Sequence, residues 1–339
     1  MQERVTPPND PLGRFLVETA RESCHVAESV WQESAGRAVL KEDSSPVTVA
    51  DFAVQAVIAR RLQMRFPEEP LVAEESPDLL RQNPELRAQV LRFVRAVEPN
   101  TEDDGLIAAL ERGGSEVSER CWILDPIDGT KGFMRGDQYA IALARLEQGD
   151  VTWAVLGCPR YPLGREERGP AEEHTGALFL AARERGAWLL SSRTGGTTAT
   201  RIEVSPTEDP ATAVLVRSVE NEHTDPDGIE RLLSALGGIR PVLRMDSQAK
   251  YGLVATGKAD FLVRLPSADR PDYREKIWDH AAGALVVEEA GGRVTDLAGR
   301  SLDFSTGRRL EHNRGLVASN GRLHQAILES LQACFLSGS

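Results

Sequence analysis

Residues 122–139 read WILDPIDGTKGFMRGDQY, and the meaning of this stretch decides how the rest of the chain is read. The apolar run Cys121 to Leu124 predicts a strand, which leads into two aspartates three residues apart, Asp125 and Asp128, with Gly129 just before Thr130. On composition alone an Asp-Gly pair most often marks a solvated turn. The apolar lead-in argues for more. It carries Asp125 to the C-terminal end of a buried strand, where α/β proteins commonly bind ligands. Ionised carboxylates in such a place need a counter-ion. Hard divalent cations prefer oxygen donors, and magnesium takes a few carboxylates while leaving its other positions to water and phosphate. Asp125, Asp128 and the backbone carbonyl of Ile127 are the first candidate ligands.

Working outward, Asp51 lies in SSPVTVADFAVQ, Glu74 in LVAEES and Asp279 in EKIWDHAAGALVVEEAGG. Each has an ordinary structural reading beside the functional one. Asp51 suits a helix N-terminus, Glu74 a solvated turn, and Asp279 an N-cap before a core helix.

The bulk composition narrows the class. The chain has 339 residues, 41% hydrophobic and 27% charged, which suits one large domain or two intimately packed ones. There is no apolar run near the roughly 18 residues of a membrane span, and the start, MQERVTPPNDP, lacks the basic and apolar regions of a secretory leader. A cytoplasmic protein is expected, with no membrane partner. Cys24, Cys121, Cys158 and Cys334 are scattered without C-x-x-C spacing and read as reduced, mostly buried thiols. A net charge of -12 argues against a nucleic-acid partner. It also raises the question of how an anionic substrate would approach, which bound cations would answer.

Periodicity predicts a helix over Pro11 to Lys41 and another from Asp51 to about Phe66, ended by Pro67, then a strand at Leu71 to Ala73. Residues 77–120 read as a peripheral helical insertion, with a loop around Glu102 to Gly114. Strands are expected at Tyr139 to Arg145 and Val151 to Gly157, a surface loop at Arg160 to Thr175, and a strand pair at Ala177 to Ala181 and Gly186 to Leu190. Beyond a Gly/Thr-rich stretch the pattern becomes α/β. Strands are expected at Ala213 to Val216, Val242 to Arg244 and Phe261 to Arg264, and helices at Gly228 to Leu236 and Gln248 to Ala255. The expected division is an N-terminal α+β metal-binding half, 1–195, and a C-terminal α/β half, 196–339.

The four segments, in this order, resemble the superfamily of inositol monophosphatases, fructose-1,6-bisphosphatases and bisphosphate nucleotidases. The pattern of an acidic residue before the metal loop, then D-P-[ILV]-D-G-[ST], then W-D before a glycine-containing helix, is met by Glu74, by DPIDGT at Asp125 to Thr130, and by WDHAAG at Trp278 to Gly283. SPVTVADFAVQ, LDPIDGTKGFMRGDQYA, DSQAKYGLVATGKADFLVRLP and EKIWDHAAG look like the bisphosphate nucleotidase branch. The likeness runs from about Phe15 to about Leu331. One departure is Ala73, which stands where the family usually has glycine.

The resemblance implies a layered α/β sandwich, the sugar-phosphatase fold, and two to three magnesium ions. Glu74, Asp125 and the Ile127 carbonyl would hold one ion; Asp125, Asp128 and Asp279 a second. Asp51 would serve a weaker site and, with Thr130, help activate the attacking water. Gly129 and Thr130, then His223, Ser247, Lys250 and Arg264, would face the substrate. Lys250 and Arg264 carry the cations that a second phosphate requires. The implied activity is removal of the 3′-phosphate of adenosine 3′,5′-bisphosphate, and with it a lithium-sensitive role in sulfur metabolism, extending to the activated sulfate donor. An inositol or sugar-phosphate phosphatase with the same metal site, and a non-catalytic nucleotide binder, stay open as alternatives.

Overall fold

A computed structural model of the chain describes residues 6–34, 38–40, 46–161, 176–193, 198–219, 225–238, 241–267, 270 and 272–336. In chain order its elements are α1 (Pro11–Ser34), β1 (Ala38–Leu40), β2 (Pro46–Thr48), α2 (Val49–Arg65), β3 (Leu71–Ala73), α3 (Asp78–Gln82), α4 (Pro84–Val97), α5 (Asp103–Arg112), β4 (Arg120–Asp128) and α6 (Thr130–Arg135). There follow β5 (Ala140–Glu147), β6 (Asp150–Cys158), β7 (Ala177–Ala182), β8 (Gly186–Ser191), β9 (Ala199–Ile202), β10 (Leu215–Arg217), α7 (Pro226–Ala235), β11 (Val242–Arg244), α8 (Ala249–Ala255) and β12 (Phe261–Arg264). The chain ends with α9 (Ala281–Glu289), β13 (Arg293–Thr295), β14 (Leu316–Ser319) and α10 (His324–Leu336).

Among the described residues the strands form a β1-β2 ribbon, a seven-stranded sheet in the order β3-β4-β5-β6-β7-β8-β9, and a five-stranded sheet in the order β11-β10-β12-β14-β13. In the larger sheet only β3 and β4 run parallel; the rest is an antiparallel meander. Both faces of this sheet are covered, which explains why its strands read as apolar runs rather than alternating ones. Trp122 and Leu124 of β4 point into a core shared with α1, α2, α4 and α5. Cys121 and Ile123, one residue out of phase, point into a second core with α8, α9 and the smaller sheet. The outer face of that smaller sheet, through Leu215, Phe261 and Val317, packs on α7 and α10 through Ile229, Leu232 and Ile327. The result is five alternating layers, helix, sheet, helix, sheet, helix, as a layered sandwich requires. No described helix is long and apolar enough to cross a membrane.

Three expectations need correction. The first helix is described over Pro11–Ser34, and Ala38 to Leu40, expected inside it, pair instead as a strand with Pro46 to Thr48; a short apolar run does not by its spacing tell strand from helix. The stretch read as loop around Glu102 to Gly114 contains α5, whose first turn carries Asp103 and Asp104 and whose last turn carries Arg112, charges that complement the helix dipole. Nor is the 77–120 segment peripheral. Leu86, Val90, Val94, Leu106 and Leu110 are all buried in the first core. Of the loop expected at Arg160 to Thr175, all beyond Tyr161 lies outside the described residues.

Candidate active site

The two aspartates of the central motif reach one face through an irregularity in β4. Asp125 is opposite Ala142 and Asp128 opposite Ala140, so three steps along β4 match two along β5. In a regular strand, residues three apart point to opposite faces. The extra residue is a bulge that re-aims the second aspartate, and because Ala140 and Ala142 face the same core, their partners share a side. The strand then turns at Gly129, whose φ of 88° is the left-handed region that glycine enters without penalty. A Cβ there would lie 3.0 Å from Cβ of Ser247. The turn therefore abuts the second half directly.

That abutment is bonded. The backbone N–H of Gln248 donates to the Asp128 carboxylate, and Ser247, itself at a φ of 64°, accepts the Ala249 N–H on its Oγ at 3.2 Å. The Gln248 amide, buried, donates to the Trp278 carbonyl at 2.9 Å and accepts from the Gly283 N–H at 3.1 Å. One residue thus ties the aspartate turn to the segment that carries Asp279. Thr130 donates from Oγ1 to the Ile127 carbonyl at 3.3 Å.

Asp51 is both a cap and a member of the acidic cluster. It is buried in the first turn of α2, where its Oδ2 accepts the Thr48 N–H at 2.7 Å and the Thr48 hydroxyl at 2.6 Å in a capping box. Glu74 leaves the end of β3 half-buried. Its neighbour Glu75 is clamped by the Gln55 amide of α2, which donates to the Glu75 carbonyl at 2.6 Å and accepts from the Glu75 N–H at 3.0 Å. On the other side Arg308 donates to the Ala73 and Gly113 carbonyls and stacks over Trp278, 4.7 Å from the ring centre.

Electrostatics gathers these groups around Asp125. Burial, then the carboxylates of Glu74, Asp128, Asp279 and Asp51, hold its pKa well above the usual carboxylate range. Burial likewise raises Asp128, opposed by Lys250, the Gln248 N–H and Arg264, and raises Asp279 well above its usual value with Asp128 adding to the effect. Oδ1 of Asp125 is buried with no hydrogen-bond partner among the described residues. A buried carboxylate oxygen in that condition carries a large desolvation cost, and an all-oxygen set of acidic groups around it is the donor set that magnesium prefers. The residues therefore fit a hard divalent cation.

Two cations act on these carboxylates, Lys250 and Arg264 on Asp128 and Arg264 on Asp279. Lys250, expected as a phosphate contact, is 7% exposed; burial draws its pKa down to about 8 against the pull of Asp128. Burial also works against the charge of Arg264, but Glu275 and Asp279 more than offset it, so that pKa is raised. Arg264 pairs with Glu275 at 3.0 Å. His223 lies outside the described residues. Among the described residues, Glu275, Asp279 and His280 have ligand atoms all within 4.8 Å of one another. Of this trio only Asp279 was expected from the sequence. Glu275 and His280 stand in the quoted EKIWDHAAG, but nothing local to that string says that the glutamate meets an arginine from β12. Gln55, Gln248 and Arg308 were also missed, since their partners are backbone groups remote in sequence.

Comparison with known proteins bears on this arrangement. Residues 9–335 match the sequence profile described as the inositol monophosphatase family. Among curated proteins, the 3′(2′),5′-bisphosphate nucleotidase of Emericella nidulans is 36% identical over 345 aligned positions, covering 94% of this chain and 97% of that protein. The 3′(2′),5′-bisphosphate nucleotidase of Oryza sativa is 41% identical over 309, covering 86% and 85%. Among solved structures, an IMPase from Thermotoga maritima superposes with a TM-score of 0.64 at 22% identity, covering 96% of this chain and 98% of that one. The last likeness bears on the fold alone.

Proposed function

The chain belongs to the inositol monophosphatase family, and from that membership we propose that it is a magnesium-dependent phosphomonoesterase that removes the 3′-phosphate of adenosine 3′,5′-bisphosphate. The observation that carries the reading is the pairing of two opposed charge sets: carboxylates around the buried Asp125 Oδ1, which has no hydrogen-bond partner among the described residues, and Lys250 with Arg264 acting on Asp128 and Asp279. A substrate with two phosphates has a use for both, whereas a monophosphate has a use for one. The names of the curated relatives from Emericella nidulans and Oryza sativa agree with it.

In this proposal Glu74, Asp125, Asp128, Asp279 and the Ile127 carbonyl hold the metal, as two ions with a third, weaker one near Asp51. When bound, magnesium neutralises charge on the transferred phosphoryl group and the leaving oxygen and makes a water more acidic. The remaining work belongs to side chains. A threonine hydroxyl that donates to a carbonyl keeps lone pairs to accept with, so Thr130, donating to Ile127, orients the attacking water by accepting its O–H. Asp51, fixed by Thr48, takes the proton. Gly129 and Thr130, where β4 turns into α6, would face a phosphoryl oxygen. Lys250 and Arg264 hold the 5′-phosphate, with Ser247 and His223 toward the nucleoside. The N-terminal half, 1–195, supplies most of the metal and water machinery, and the half from 196 onward supplies Asp279 and the nucleotide contacts. The same reading extends to the 3′-phosphate of the activated sulfate donor.

The test is phosphate release from the nucleotide with magnesium, in excess chelator, and in the Asp125→Asn variant. Release that needs the metal, disappears in the variant and falls in millimolar lithium supports the reading. Release that persists in chelator or in Asp125→Asn contradicts it.

A further inference from the structure

Four side chains from three segments, α8, β12 and residues 275–280, form a line that ends on Arg264. Tyr251 Oη lies 2.7 Å from His280 Nδ1, His280 Nε2 lies 3.1 Å from Glu275 Oε2, and Arg264 Nη2 lies 3.0 Å from that same Oε2. Tyr251 is 2% exposed, His280 0% and Glu275 7%. Two members directly follow residues already placed in the site, and a third is such a residue itself. Tyr251 follows Lys250 on α8, His280 follows Asp279, and Arg264 ends β12.

We propose that Glu275, His280 and Tyr251 are positioning residues that fix the Arg264 guanidinium for the second phosphate of the substrate, and so set the preference for a bisphosphate over a monophosphate. The inference rests on the nucleotide reading above.

Donor and acceptor roles in the line are determined by elimination. A guanidinium only donates, so Glu275 Oε2 accepts from Arg264. That carboxylate also accepts from His280 Nε2–H; burial favours the neutral imidazole, whose Nδ1 then accepts the Tyr251 O–H. An isolated Arg–Glu pair leaves the carboxylate free to rotate; one oxygen held by two donors, one of them backed by tyrosine, is fixed. Tyr251 itself cannot swing away, because a Cβ on Gly283 would fall 2.3 Å from its ring, which means that the ring lies directly against the backbone of α9. Glu275 occupies one edge of the guanidinium. Arg264 Nε is buried and has no acceptor among the described residues, so the hydrogen-bonded anchor of the guanidinium among them is Glu275. The forked geometry of arginine suits a phosphate when one edge is held in place.

The experiment is steady-state kinetics with two substrates, adenosine 3′,5′-bisphosphate and adenosine 3′-monophosphate, which lacks the 5′-phosphate. Glu275→Gln keeps the shape but removes the charge that holds Arg264. It is expected to raise KM for the bisphosphate about tenfold with kcat changed less than about threefold, and to leave KM for the monophosphate within about twofold. Tyr251→Phe, the mildest change, moves the same constant in the same direction by less. In an Arg264→Lys background the Glu275→Gln effect disappears if glutamate acts through arginine. Equal losses with both substrates, or an undiminished Glu275→Gln effect in Arg264→Lys, overturn the inference while leaving the nucleotidase reading intact. A wild-type protein that does not release phosphate from the bisphosphate removes the reading itself, and this inference with it.

Discussion

Gln55 holds Glu75 at two points, donating its amide to the carbonyl at 2.6 Å and accepting the N–H at 3.0 Å. Both residues are buried, and the contact joins α2, which carries Asp51, to the loop that carries Glu74. Replacing Gln55 with leucine leaves two backbone groups without these partners, each worth about 1–3 kcal/mol. The expected loss is about 2–5 kcal/mol of unfolding free energy, read by urea denaturation, together with a severalfold rise in the magnesium needed for half-maximal activity. Unchanged magnesium dependence would show that the clamp does not act on Glu74.

Asp125→Asn separates stability from function. Removing one charge from a buried cluster of like charges stabilises the metal-free protein, since burial and four neighbouring carboxylates all oppose its ionisation. The variant is expected to unfold at a higher temperature than wild type in chelator, to gain little from added magnesium, and to lose on the order of a thousandfold in kcat, the several kcal/mol that metal catalysis supplies. Thermal unfolding with and without magnesium checks the first two. A metal-free variant less stable than wild type would contradict the electrostatic account.

A second pH-sensitive group owes its shift to burial and to Arg293 rather than to the carboxylates. His324 is fully buried between the hydroxyls of Thr295 and Ser319, at 2.8 Å and 2.9 Å, and burial lowers its pKa to about 4. The unfolded chain takes up this proton near the ordinary value of about 6.5, so between about pH 6.5 and 4 the unfolded state binds more protons and stability falls with acidification. Above that window the contribution is fully present. His324→Gln is expected to be less stable at pH 7 and to lose part of the decline from pH 7 to pH 5, measured in chelator. Parallel pH profiles for the two proteins would refute this.

At the Gly129 turn, alanine meets both a left-handed φ and Ser247 Cβ at 3.0 Å. Backbone strain alone costs about 1–2 kcal/mol, and the displacement of Ser247 disturbs the Gln248 N–H on Asp128. Gly129→Ala is expected to reduce kcat far more than Gly307→Ala, where φ is also positive but nothing lies within 4 Å of the added Cβ. Equal effects at the two positions would mean that strain, not the seam with Ser247, decides the outcome.

Local pattern alone suited a cap or a solvated turn at Asp51, Glu74 and Asp279, and the family resemblance was what grouped them with Asp125 and Asp128; in the fold, electrostatics couples Glu74, Asp128, Asp279 and Asp51 to Asp125. Local patterns also gave most strands, since the sheet is covered on both faces and its runs are plainly apolar. What escaped is what depends on distant partners. The bulge between Asp125 and Asp128 is a matter of register with β5, and α5 looked like loop because its acidic first turn hides an apolar stripe of only Leu106, Ala109 and Leu110. Glutamine clamps and the Arg264–Glu275–His280 line join residues whose neighbours in sequence announce nothing.

The most direct test of the central claim is a competition: equal concentrations of adenosine 3′,5′-bisphosphate and inositol 1-phosphate, magnesium, and the purified protein, followed by phosphorus NMR. Adenosine 5′-monophosphate and inorganic phosphate are expected to appear first while inositol 1-phosphate persists. Prior consumption of inositol 1-phosphate, or accumulation of adenosine 3′-monophosphate, would contradict that claim.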